Sequence, residues 1–166
     1  EEDKTAKWGG VQVGYRDRYA WVHSRDNLIA WNDVFRMSAD TEDNGFISFW
    51  NCGAGNVVAD NLFHDSKREL GGLGMAVYLD DGADYCRLER NVVWGIEGGD
   101  KRVAFFNKGQ YNLTENNILV CATNDVAAIR MWEGFGRTAI HHTYRRNLLY
   151  TPGDTAPYVF EFAGWE

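Results

Sequence analysis

Short apolar runs alternate along the chain with Asn, Gly and Asp, and one arrangement returns: an Asn followed by a few apolar residues. The copies read NLIAWNDVF (27–35), NVVADNLFH (56–64), CRLERNVVW (86–94), NLTENNILV (112–120) and HTYRRNLLY (142–150). Aligned on their sixth residue they give Asn32, Asn61, Asn91, Asn117 and Asn147, at spacings of 29, 30, 26 and 30. Three copies also open on Asn, at Asn27, Asn56 and Asn112. A second apolar strand follows each copy: GFISFW (45–50), MAVYLD (75–80), VAFFN (103–107), AAIRMW (127–132) and YVFEF (158–162). No segment carries a 3.6-residue apolar stripe long enough for a helix, so helix is expected to be nearly absent.

Strands recurring at this interval exclude propeller blades, which take about four strands in ~40 residues. A solenoid fits, each period making one coil and equivalent strands stacking in parallel ~4.8 Å apart. An Asn at one place in every coil then has a physical reason. Its amide can hydrogen-bond the amides above and below, and Asn tolerates the left-handed backbone of a bend. The expected fold is all-β: a right-handed single-stranded parallel β-helix of about five coils filling residues 1–166 as one domain. The ending YVFEFAGWE, without a polar cap, reads as part of a longer β-helix.

The combination of NVVADNLFHD, GMAVYLDDGADYCRLERNVVW and FFNKGQYNLTENNILV resembles the right-handed parallel β-helix repeat proteins of the pectate-lyase-like superfold, in particular secreted bacterial ones that act on polysaccharides. The resemblance spans roughly residues 27–150. It implies a polysaccharide or oligosaccharide partner and a secreted, cell-surface or periplasmic location. It does not choose among hydrolase, lyase and non-catalytic binder or stalk, because all share the architecture.

Laying the second and third coils on the first without gaps, counting back from the ladder, stacks Phe49, Leu79 and Phe105, and Ile47, Val77 and Val103, as inward columns. Outward come Ser48, Tyr78 and Ala104, then Trp50, Asp80 and Phe106. Asn51, Asp81 and Asn107 follow at the strand end. Asp80 between two aromatic rings would be partly desolvated, which suits a general acid. The rings would offer flat surfaces to sugars. A second carboxylate, Asp81, Glu133 or one from the segment Asp40-Thr41-Glu42-Asp43, would act as base or nucleophile of a glycoside hydrolase. Asp81, before Gly82, equally suits a turn. Trp50, Tyr78, Phe106, Lys108, Arg130 and His64 complete the expected substrate contacts, with His64 either lining the cleft or capping a turn. His141 and His142 fall at the start of a repeat and read as structural.

No cofactor is expected for hydrolysis. In lyases of the resembled fold a calcium ion acidifies a uronic acid and a Lys or Arg removes its proton; Asn51, Asp80 and Asp81 with Lys108 and Arg130 have those chemical types. Charge weighs mildly against a polyuronate: 17 Lys and Arg face 24 Asp and Glu, a net −7. With no basic cluster, nucleic acid is not an expected partner. No apolar run approaches the ~20 residues of a membrane span, and EEDKTAKWGG is not a signal peptide. Cys52, Cys86 and Cys121 offer no CxxC pair and are expected as buried thiols.

Overall fold

In the computed structural model, residues 5–8, 11–14, 17–37, 43–67, 73–97, 101–121, 128–132, 141–151 and 160–163 are described. An antiparallel hairpin, β1 (Thr5–Trp8) and β2 (Val11–Gly14), precedes a 3₁₀ turn at Asp17–Ala20. From there every described strand belongs to a parallel solenoid. The coils are β3 (Leu28–Ala30), β4 (Asp33–Phe35), β5 (Asn44–Phe49); β6 (Val57–Ala59), β7 (Leu62–Lys67), β8 (Leu73–Leu79); β9 (Arg87–Glu89), β10 (Val92–Glu97), β11 (Lys101–Asn107); β12 (Leu113–Glu115), β13 (Ile118–Val120), β14 (Ile129–Trp132); and β15 (Thr143–Arg145), β16 (Leu148–Tyr150), β17 (Phe160–Ala163). Each coil adds one strand to each of three five-stranded sheets: the first holds β3, β6, β9, β12 and β15, the second β4, β7, β10, β13 and β16, the third β5, β8, β11, β14 and β17.

The repeating Asn positions hold the corner between the first two sheets. Asn61 Oδ1 accepts from the backbone N and the Nδ2 of Asn32, at 3.0 and 2.9 Å; Asn91 does the same for Asn61, Asn117 for Asn91 and Asn147 for Asn117. The second N–H of each amide turns back to a carbonyl of the preceding coil: Asn61 to Ile29, Asn91 to Val58, Asn117 to Leu88. Two accepted and two donated bonds use the full capacity of the side chain. That is why Asn61, Asn91 and Asn117 can be buried without cost from unmet polar atoms. Asp lacks the donors and Leu lacks both.

The sharp bend itself falls one residue earlier than expected. Trp31, Asp60, Arg90, Asn116 and Arg146, each preceding a ladder Asn, have φ of 59°, 57°, 52°, 56° and 55°. The ladder Asn is therefore not the left-handed residue; it fixes the peptide that follows one. A second corner repeats the arrangement, with Asp26, Gly55, Tyr85, Tyr111 and His141 left-handed ahead of Asn27, Asn56, Cys86, Asn112 and His142. Each left-handed non-Gly residue costs about 1–2 kcal/mol, so the packing of each coil on the next has to outweigh it.

Period-two alternation sends one column per strand inward. Val34, Phe63, Val93, Leu119 and Leu149 stack from the second sheet, and Ile29, Val58, Leu88, Thr114 and Tyr144 from the first. In the third sheet the register departs from the gap-free count. Ile47, Val77, Phe105 and Ile129 form one inward column and Phe49, Leu79, Asn107 and Met131 the other, while Val103 pairs with Met75. The 26-residue period explains the shift. Seven positions separate Leu79 from Cys86 but five separate Asn107 from Asn112, and sixteen separate Asn61 from Val77 but fourteen separate Asn91 from Phe105. The deletion is thus shared by the loop before β11 and the turn after it. Gly109 permits the shortened turn, because a Cβ there would collide with the Ala83 carbonyl oxygen of the coil before.

The ladder makes position in the stack decide the energetic cost of a substitution. Asn91→Leu orphans buried groups in two neighbouring coils and is expected to lower stability by about 3 kcal/mol or more, whereas Asn32→Leu, with an exposed side chain, should cost about 1 kcal/mol. Urea unfolding of the two variants measures both; equal losses would mean that the ladder bonds contribute nothing.

Candidate functional site

Asp80 and Asp81 lie where the third sheet hands the chain to the next corner. The Ala83 N–H donates to the Asp80 carbonyl at 2.9 Å, and Gly82 has φ of 74°. These are the marks of a turn over residues 80–83 with glycine at the position needing a left-handed backbone. Asp81 occupies that turn, and its carbonyl accepts from the Asn51 N–H at 2.8 Å. Asn107 does not share this position, since it pairs with Leu79, points inward and donates to the Tyr144 hydroxyl at 2.7 Å.

The shifted register changes the neighbours of Asp80. The residue that follows it in the stack is Lys108, not Phe106: Asp80 N–H donates to the Phe49 carbonyl and Lys108 N–H to the Leu79 carbonyl. Lys108 Nζ donates to Asp80 Oδ1 at 2.8 Å and lies 4.0 Å from Asp81 Oδ1. Asp80 is therefore not sandwiched between rings but paired with an ammonium. That ammonium sits 5.2 Å from the ring centre of Tyr78 and 5.6 Å from those of Phe106 and Trp132, within cation–π reach.

Beneath it runs an aromatic layer that had been expected at the surface. Ser48, Tyr78, Phe106 and Arg130 share the outward column of the third sheet, and only Ser48 is exposed. Tyr78 and Phe106 stack at 5.0 Å, and at 1% and 0% exposure they form with Met75 and Val103 a second apolar layer outside the main core. Burial, with Asp80 nearby, pushes the Tyr78 hydroxyl far above its ordinary pKa. Phe106 continues the stack to Trp132 at 6.2 Å, and the buried Arg130 guanidinium lies over both rings at 5.3 and 5.4 Å. Tyr78 and Phe106 are consequently supports for Lys108 rather than surface platforms. Trp50, at 59% exposed, is the aromatic side chain of the expected set that does face solvent beside this cluster. Glu133, and Asp40, Thr41 and Glu42, lie outside the described residues.

His64 belongs elsewhere, on β7 in the outward face of the second sheet, and does not cap a turn. Register stacks Phe35, His64 and Trp94, with ring centres 5.3 and 4.3 Å apart. Its Nε2 is 2.7 Å from Asp33 Oδ1 and its Nδ1 2.9 Å from Asp65 Oδ2. With both nitrogens facing carboxylates, Asp65 foremost and Asp33 next, its pKa is held above the ordinary value. A comparable stack, Tyr85, Tyr111 and His141, runs up a corner with centres 4.9 and 4.7 Å apart. Stacked rings spend their faces on one another and leave edges to solvent, so both ladders cement coils rather than offer platforms to sugars.

Among the described residues, no group of three or more His, Cys, Asp or Glu side chains is placed to hold a metal ion. Calcium takes about six to eight oxygen ligands. Asp80 and Asp81 are oxygen donors, but the positive charge against them is the Lys108 ammonium, so this set does not fit calcium.

Two histidines pull stability in opposite directions with pH. His64, raised above 6.5 by its carboxylates, contributes stability that is fully present below pH 6.5 and lost as pH rises through its folded value. His142, partly buried, is lowered to about 4, chiefly by desolvation; its contribution is present above pH 6.5 and lost as pH falls toward 4, by about 1–3 kcal/mol. An NMR titration should place the His64 imidazole above 6.5, and Asp33→Asn should lower it; no change in that variant would remove Asp33 as a partner. Comparison with known proteins gives no matching family model, no matching curated protein and no matching solved structure.

Proposed function

We propose that this chain is a polysaccharide-active β-helix of the pectate-lyase-like kind, working outside the cytoplasm, with the cluster of Trp50, Asp80, Asp81 and Lys108 as its sugar contact. The observation that supports this reading is the meeting of two carboxylates and an ammonium beside an exposed indole at the end of one sheet. Carboxylates accept from sugar hydroxyls, an ammonium donates to ring and hydroxyl oxygens, and an indole face covers the C–H face of a pyranose.

Hydrolysis is the reaction these groups suit. Asp80 Oδ1 already accepts from Lys108 and from the Asp81 N–H at 2.7 Å, so Asp80 fits the base or nucleophile better than the acid expected at first. The proton for the leaving oxygen then falls to Asp81 or Glu133. Lys108 would hold the Asp80 carboxylate in orientation, supported from below by the Tyr78 and Phe106 rings. A purely binding β-helix is the second reading, favoured by the low exposure of the ion pair itself, about one fifth for Asp80 and 16% for Lys108.

Screening a panel of neutral and acidic polysaccharides for binding, for reducing-end release and for the ultraviolet absorbance of unsaturated products separates hydrolase, lyase and binder. On a glycan that is turned over, Asp80→Asn should lower the rate by about 10²-fold or more while leaving the urea midpoint close to the parent's, because an amide oxygen still accepts from Lys108. Trp50→Ala should weaken binding by about tenfold. A parent rate retained in Asp80→Asn would rule out catalysis at this cluster, and unchanged binding in Trp50→Ala would move the sugar contact elsewhere.

A further inference from the structure

In the corner column that reads Asn27, Asn56, Cys86, Asn112 and His142, one coil substitutes a thiol for the amide. Cys86 still receives the ladder bond on its backbone, its N–H donating to Asn112 Oδ1 at 2.8 Å. What it lacks is the Nδ2 that Asn56 sends to the carbonyls of Ser24 and Gly53, and Asn112 to that of Ala83. In place of that bond its Sγ lies 3.6 Å from the Asp84 carbonyl and 3.6 Å from Cys52 Sγ. Both thiols are buried in the main apolar cluster, 34 positions apart in sequence and on neighbouring coils.

We propose that Cys52 and Cys86 form a disulfide that staples one coil to the next when the protein folds in the presence of a small-molecule disulfide. The two sulfurs stand 3.6 Å apart, against ~2.05 Å in a disulfide, so closing the gap of about 1.5 Å needs side-chain rotation and a small backbone adjustment rather than a new fold. The two thiols are unequal. The bond from Cys86 holds Cys52 below the ordinary thiol range, while that bond and burial push Cys86 well above it. Cys52, 1% exposed once the coils have closed, attacks one sulfur of oxidised glutathione as a thiolate before they close, releasing one glutathione thiolate. Cys86, deprotonated as it reacts, then attacks Cys52 Sγ and displaces the second glutathione. Two protein S–H bonds and one glutathione S–S bond are lost, one protein S–S bond forms, and the two protons leave on two glutathione thiols. Cys121, on a different strand end, stays reduced.

Refolding the full chain in a reduced and oxidised glutathione buffer, followed by mass spectrometry of the alkylated protein and its peptides, tests this. One alkylated thiol instead of three, a mass lower by about 2 Da before alkylation, and a peptide joining Cys52 to Cys86 are expected, with a melting temperature about 5 °C or more above that of the reduced protein. Cys86→Asn restores the amide of the column, should fold, and should lose the link. The same readout on the folded protein incubated with oxidised glutathione covers inefficient refolding. Three alkylated thiols in the natively folded product of both treatments, or a link through Cys121, would overturn the proposal.

Discussion

A buried asparagine with all its hydrogen-bonding positions occupied is the constraint on which the solenoid depends. Each ladder amide ties three coils at once: the one before through a carbonyl and an accepted pair, its own through the corner it holds, and the one after through the next Oδ1. Such a chain of amides polarises along its length, and its low-dielectric setting strengthens every link. Strands of three residues in the first and second sheets would be too short to hold by themselves. Held on both sides by corners that cannot slip, they need only place one side chain inward.

The candidate site follows from where that regularity is broken. Shortening one coil by four residues, half before β11 and half after it, carries Lys108 to the level of Asp80 and lays the Phe106 ring on Tyr78. Had the whole deletion fallen in the loop before β11, Phe106 would have flanked Asp80 and the lysine would have stood one coil corner away. A local change in loop length thus exchanges an aromatic neighbour for a cationic one, and with it the chemistry open to the carboxylate.

Much of the fold was legible because it is written several times. Asn at a fixed position in each of five copies, with alternation on either side, leaves few architectures, and the in-register stacking of those copies in the first two sheets was readable directly. The third sheet was not, since the variable loop and turn that border it let two registers satisfy the same apolar pattern. Burial of Tyr78 and Phe106 was illegible for a different reason. Alternation says which way a side chain points from its strand but not whether that side meets solvent. Of the candidate residues, Asp80, Asp81 and Lys108 do converge and Trp50 is exposed on the neighbouring coil, while His64 stands on another sheet, placed there by Phe35 and Trp94 above and below it.

The left-handed corner residues have nothing in common chemically: an indole, a carboxylate, guanidinium groups, phenols and an imidazole occupy equivalent places. A bend usually advertises itself by the glycine it requires, but here, Gly55 apart, the neighbour carries that instruction, and the bending residue is left to reach its equivalent on the next coil: Arg90 pairs with Asp60, and the Tyr85, Tyr111 and His141 rings stack. The two corner ridges of this solenoid are therefore a second line of writing, in which any pair of charges or rings that joins one coil to the next can be spelled without disturbing the bend beneath it.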